Sequence, residues 1–158
     1  MAMLKEEPVV KAEMNIRKPV DEVFAAFVDP EKTTKFWFTK SSGKLEFGKH
    51  IRWDWEMYGV SANVYVKQLE ENKRILIEWE EPCGYSTVEW TFTPRNGYET
   101  FVSITNSGFQ GEGDEMVEQA LDSMGGFTIV LCGLKAYLEH GISLNLIADK
   151  APDAHVNP

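Results

Sequence analysis

The chain has 158 residues, 43% of them apolar and 26% charged, the composition of one globular domain large enough to bury a core without disulfide staples. Twenty-five acidic against 16 basic residues leave a formal net charge of −9. That sign argues against nucleic acid, whose phosphates need a basic face, and against docking on anionic lipid.

Residues 1–8 read as a flexible N-terminus without the apolar run of a signal peptide. Val10, Ala12, Met14 and Ile16 then alternate with Lys11, Glu13, Asn15 and Arg17, which predicts a half-buried strand. Pro19 stops the strand and suits a helix start. Val20, Val23, Phe24 and Phe27 follow at helical spacing, with Asp21 and Glu22 where the helix dipole favours them. Asp29-Pro30 reads as an N-cap and first residue of a second short helix running to about Phe36.

After Trp37 the period changes to two for about seventy residues, beginning at Leu45 and Phe47. The inward series is Ile51, Trp53, Trp55 and Met57, then Ala62, Val64 and Val66, then Ile75, Ile77 and Trp79, then Val88, Trp90 and Phe92. Turn signals separate the series at Gly59, Glu71-Asn72-Lys73, Pro82-Cys83-Gly84 and Asn96-Gly97, so the strands form an antiparallel meander. The last strand holds Thr100, Val102 and Ile104 on one side and Phe101, Ser103 and Thr105 on the other, and alternation leaves its phase open. A long helix is predicted from about Asp114 to His140, with Gly141 as its stop. Its stripe is Val117, Leu121, Met124, Thr128, Leu131, Leu134 and Leu138, widened by Ala120 and Phe127. The domain is expected over residues 9–142, with 143–158 as a loose C-terminal tail.

Helices segregated from an antiparallel meander define an α+β fold. A curved sheet of about six to seven strands needs a cover, and the long C-terminal helix is the element that supplies it. A straight helix cannot touch a curved sheet everywhere, so the gap is either an apolar cavity or is filled by large side chains. Candidate ligand-binding residues are Trp53, Trp55, Trp79, Trp90 and Phe92 from the sheet, Trp37 before it, and Met124, Phe127 and Thr128 from the helix. Gly125 and Gly126 interrupt that helix, each at about 1 kcal/mol relative to alanine. They mark either close packing, a kink, or a thinned wall beside a ligand.

Catalytic chemistry finds little support. His50, His140 and His155 lack a second His or Cys at metal-ligand spacing, so no metal site and no cofactor is implied. Cys132 lies in an apolar helical run, and Cys83 has nothing nearby in sequence to activate it. Both are expected as free thiols in a reducing, cytoplasmic setting. The strand carboxylates Asp54, Glu56, Glu78, Glu80 and Glu89 alternate with the apolar set and are expected to point outward. Gly108, Gly111 and Gly113 precede the long helix, but Glu112, Asp114 and Glu115 would repel a phosphate.

Three stretches carry a family resemblance: Lys18-Pro19-Val20-Asp21-Glu22-Val23-Phe24, Asp29-Pro30-Glu31 leading to Phe36-Trp37, and Gly133-Leu134-Lys135-Ala136-Tyr137-Leu138-Glu139-His140-Gly141. Over about residues 10–142 the chain resembles the Hsp90-ATPase-activator-homologue-like family of the START and birch-pollen-allergen (SRPBCC) superfamily. The resemblance implies a helix-grip fold, with two short helices after the first strand. Its implied roles are binding of a hydrophobic small molecule without chemistry, a co-chaperone module acting on an Hsp90-type ATPase, or a cyclase-like or hydrolytic enzyme. The corresponding partners are an apolar ligand, a chaperone, or a second copy in a homodimer, with no nucleic acid and no membrane insertion. Where many relatives have a Gly-Gly turn, this chain reads Phe47-Gly48-Lys49.

Overall fold

The structure is a computed structural model that describes residues 6–156; the expectation for residues 1–5 lies outside them. Strand β1 (Val10–Ile16) leads into helices α1 (Val20–Val28) and α2 (Pro30–Thr33). The Asp29 side chain caps α2 by accepting from the Glu31 N–H at 3.1 Å. The second helix is shorter than expected: after Thr33 the chain turns through Phe36, whose N–H reaches the Thr33 carbonyl.

Strands β2 (Lys40–Ser41), β3 (His50–Trp55), β4 (Val60–Glu70), β5 (Arg74–Glu81), β6 (Gly84–Arg95) and β7 (Glu99–Ser107) follow. They pair antiparallel in one seven-stranded sheet of order β1-β7-β6-β5-β4-β3-β2. Asn72 and Asn96 adopt positive φ at two of the hairpin turns, as their short polar side chains permit. The inward series holds through β3 to β6, and β7 takes the Thr100, Val102, Ile104 phase. Three details differ from expectation. Residues 45–49 form a turn, with Leu45 buried, Phe47 exposed and Gly48 at φ +78°. Met57 leaves the strand for a 3-10 turn over Glu56–Tyr58. A bulge between Val66 and Gln68 shifts the register of β4, so Leu69 takes over the inward phase.

Helix α3 (Gly113–His140) crosses the concave face. A reciprocal Glu112–Glu115 capping box starts it, and Gly141, at φ +66°, ends it. Ala120, Phe127, Val130, Leu131, Gly133 and Leu134 are buried. The expected stripe therefore holds at Leu131 and Leu134 and fails in the first half, where Val117, Leu121 and Met124 are exposed. In that half Met116 and Ala120 pack against Val10 and Phe109, and the side facing the cavity carries only Gln119, Asp122, Ser123 and Gly126. After Gly141 the chain forms α4 (Leu146–Lys150) and a 3-10 turn over Pro152–Ala154. Among the described residues no helix is long and apolar enough to cross a membrane.

Candidate ligand-binding cavity

Trp37 is the centre of the aromatic interior. Its ring centroid lies 4.9 Å from that of Trp53, 6.0 Å from Trp79, 6.1 Å from Trp90 and 5.8 Å from Phe127. Trp53 stacks on Phe38 at 4.7 Å, and Phe92 packs edge-on against Phe24 at 5.3 Å. Offset and edge-to-face contacts of this kind add stability beyond simple area burial. One end of the space between sheet and helix is thereby filled. The other end is open: a cavity of about 660 Å³ remains, walled by Trp37, Trp55, Trp79, Ala62, Phe127 and Val130. That is within the roughly 300–1,000 Å³ of small-molecule sites.

Its lining is polar towards one end. On α3, Gln119, Asp122, Ser123, Gly126, Phe127 and Val130 repeat at one-turn spacing and all line the cavity. On the sheet, the inward series of three neighbouring strands each ends in a polar residue: Glu81 after Ile75, Ile77 and Trp79; Ser86 before Val88 and Trp90; Asn106 after Val102 and Ile104. These groups join into one chain of hydrogen bonds. The Ser86 hydroxyl donates to Glu81 at 3.2 Å and accepts from Trp79 Nε1 at 3.1 Å and Asn106 Nδ2 at 3.0 Å, which uses its full capacity. Ser123 on α3 donates to Asn106 Oδ1 at 2.7 Å. Burial pushes the Glu81 carboxyl above the ordinary glutamate range; hydrogen bonds from Ser86 and Trp79 oppose this, and the charge of Asp122 adds to it.

The C-terminal segment supplies a further wall, through Ile147, Lys150 and Ala151. The Tyr58 hydroxyl donates to the carbonyls of Ile147 and Ala148, and the His155 ring bonds the Ala148 carbonyl at 2.8 Å. Val156 N–H donates to Met57 O at 2.9 Å. Residues 143–156 of the expected tail thus form a strap pinned at its far end to the turn after β3, and residues 157–158 lie outside the described residues.

Of the nine candidate ligand-binding residues, Trp37, Trp55, Trp79 and Phe127 line the cavity. Trp53, Trp90 and Phe92 are at most 4% exposed and pack in the filled core beside it. Met124 and Thr128 lie on the outer face of α3, where the Thr128 hydroxyl donates to the Met124 carbonyl at 2.7 Å. A helix turns 100° per residue, so the half-turn around Phe127 that faces inward is Ser123 and Gly126. Glu80, expected to point outward, stands on the cavity rim and accepts from the Asn63 N–H at 3.1 Å. Glu81 and Ser86 were legible as continuations of the inward phase, and Asn106 only once the phase of β7 was known. Gln119 and Ser123 were legible as the turns before Phe127. Nothing local in the sequence announces Tyr58 or Ile147.

The remaining reactive groups stand apart. Among the described residues no group of three or more His, Cys, Asp or Glu is placed to hold a metal. Both cysteines are free thiols; the hydrogen bond with Glu115 pushes the exposed Cys83 thiol up, away from the reactive thiolate.

A curved antiparallel sheet gripping a long C-terminal helix over a half-filled, half-open interior is the helix-grip class of α+β domain. Within that class the chain belongs to the family described as Activator of Hsp90 ATPase homolog 1-like protein, whose model matches residues 17–139. Protein SSP2350 from Staphylococcus saprophyticus is 32% identical, with a TM-score of 0.74 over 87% of this chain and 96% of that one. MLL2253 from Mesorhizobium loti shares the fold at 20% identity and TM-score 0.74, over 85% of this chain and 99% of that one. The Aha1 dimer from Colwellia psychrerythraea does so at 19% identity and TM-score 0.70, over 85% and 98%. A search of curated proteins found no match.

Proposed function

We propose that the chain binds a small, largely apolar molecule in the cavity between α3 and strands β3 to β5. The observation that carries this reading is the cavity itself: about 660 Å³ left open beside a well-packed aromatic core, with five aromatic side chains on its wall. A close-packed interior leaves few voids larger than a water molecule, so an opening of this size needs an occupant or a purpose. Calorimetric titration with fatty acids, sterols and aromatic compounds tests it. Saturable binding to at least one class is expected, and silence across the panel refutes the reading.

The family comparison favours a second reading more directly than it favours the first: a co-chaperone-like module acting on an Hsp90-type ATPase. Its support is the family description over residues 17–139 and the fold shared with the Colwellia Aha1 dimer. The same likeness brings in a homodimer, and the exposed Val117, Leu121 and Met124 on α3 offer an apolar surface for contact. An ATPase assay with the host's Hsp90, together with sedimentation velocity, decides both points. An unchanged ATPase rate and a monomer at micromolar concentration would remove them.

A further inference from the structure

We infer that the cavity selects an amphiphile with an apolar, aromatic-sized body and a cationic amine head, the head seated against Glu81 and Asp122. The inference rests on the cavity-binding reading and specifies its ligand.

The geometry gives the ligand a direction. Trp55, Trp79 and Phe127 wall the apolar end, where a flat hydrocarbon surface gains most from leaving water. Along α3 the lining turns polar at Ser123, Asp122 and Gln119, and along β5 it turns polar at Glu81, directly after Trp79. A molecule apolar throughout would leave that polar end without partners. Glu81 is held in place by Ser86, which donates to one carboxylate oxygen at 3.2 Å. Asp122 lines the same cavity, and its charge adds to the rise of the Glu81 carboxyl. The charged groups on the lining are three carboxylates, the half-buried Glu81 and the exposed Glu80 and Asp122, against one ammonium, the exposed Lys150. Glu80 is already engaged by Asn63 through its N–H and its Nδ2. A carboxylate or phosphate head would meet like charge at this end. An ammonium would relieve the repulsion between Glu81 and Asp122 and sit beside indole faces that attract cations.

The test uses three naphthalene probes that differ only in the head: 1-naphthylmethylamine, 1-naphthalenemethanol and 1-naphthoate, titrated calorimetrically into the full chain near neutral pH. The amine is expected to bind about tenfold tighter than the acid, the alcohol falling between, as a charge contact of about 1–2 kcal/mol at a half-buried carboxylate implies. Glu81→Gln with Asp122→Asn is expected to erase the preference and leave the alcohol's affinity within about twofold. Asp21→Asn with Glu22→Gln removes the same charge from the exposed face of α1 and is expected to leave the preference intact. Glu81→Gln alone, with a small loss of preference, covers the case in which the double variant fails to fold. An acid that binds as well as the amine overturns the inference, as does a preference that survives Glu81→Gln with Asp122→Asn. If all three heads bind alike, the head selection falls and the cavity reading stands. If none binds, both fall together.

Discussion

Gly126 and Gly133 lie on the same helix and would meet an added side chain differently. A Cβ at Gly126 meets nothing within 4 Å and would project into the cavity. Gly126→Leu should therefore raise stability by up to about 1 kcal/mol in urea unfolding, through helix propensity alone. It should also weaken any cavity ligand by on the order of tenfold or more in calorimetry, because the space is taken. A Cβ at Gly133 would sit 3.2 Å from Phe36 Cβ and 3.3 Å from the Phe36 carbonyl oxygen. Phe36 is held between Phe27 and Tyr137 and cannot give way easily. Gly133→Ala is expected to destabilise by about 1–2 kcal/mol, overpacking outweighing the propensity gain. Gly133 is thus a close-packed position, whereas Gly126 borders open space.

Two clamps join elements distant in sequence. Glu139, near the end of α3, accepts from the Arg17 N–H at 2.8 Å and from Lys135 at 2.7 Å, and Lys135 also donates to Asn15 O at 2.9 Å. Burial would raise the Glu139 carboxyl, but the Arg17 N–H and Lys135 outweigh it and hold it below its usual range. A depressed carboxylate contributes stability above its unfolded pKa and loses it as pH falls through the folded one. Glu139→Gln should therefore cost about 1 kcal/mol near neutral pH, with the difference from wild type closing in acid; parallel denaturant titrations read this. The second clamp is Tyr58, in the turn after β3, which holds the strap. Tyr58→Phe removes the hydroxyl shared by Ile147 and Ala148. Hydrogen exchange in α4 should speed up by about five- to tenfold, with the sheet unchanged, because opening the strap leaves the grip intact.

At the scale of the whole molecule, binding and protonation should both be visible as stability. A ligand at a hundred times its Kd adds about 2.7 kcal/mol, which for a domain of this size is a rise of about 5–10 °C in Tm. The same shift should be absent in Gly126→Leu, whereas any effect on an Hsp90-type ATPase should survive that substitution. Glu81 carries the opposite sign to Glu139. Its raised pKa means that the native state holds the proton more tightly than the unfolded chain, so its ionisation lowers stability as pH rises from the ordinary glutamate range through the raised value. Glu81→Gln should be more stable than wild type near neutral pH and lose that advantage in acid, as thermal unfolding at the two pH values will read.

Period-two alternation from Ile51 to Ile104 and the glycine stop at Gly141 determine the grip by themselves, because strand faces and helix ends follow from local geometry. The same alternation, continued one step, reaches Glu81 on the cavity wall and Ser86 behind it, whereas Asn106 followed only once the phase of β7 was known. Only the tertiary structure decided where the helix stands off the sheet. That depends on which tryptophans fill the gap: Trp53 and Trp90 are buried in the packed core, while Trp37, Trp55 and Trp79 line the open space. The stand-off turns Met124 and Thr128 outward and Ser123 and Gly126 inward, a choice that helical periodicity alone cannot make. The strap over residues 143–156 is likewise a tertiary outcome. Its local signal is weak, and what holds it is a tyrosine hydroxyl some ninety residues away in sequence.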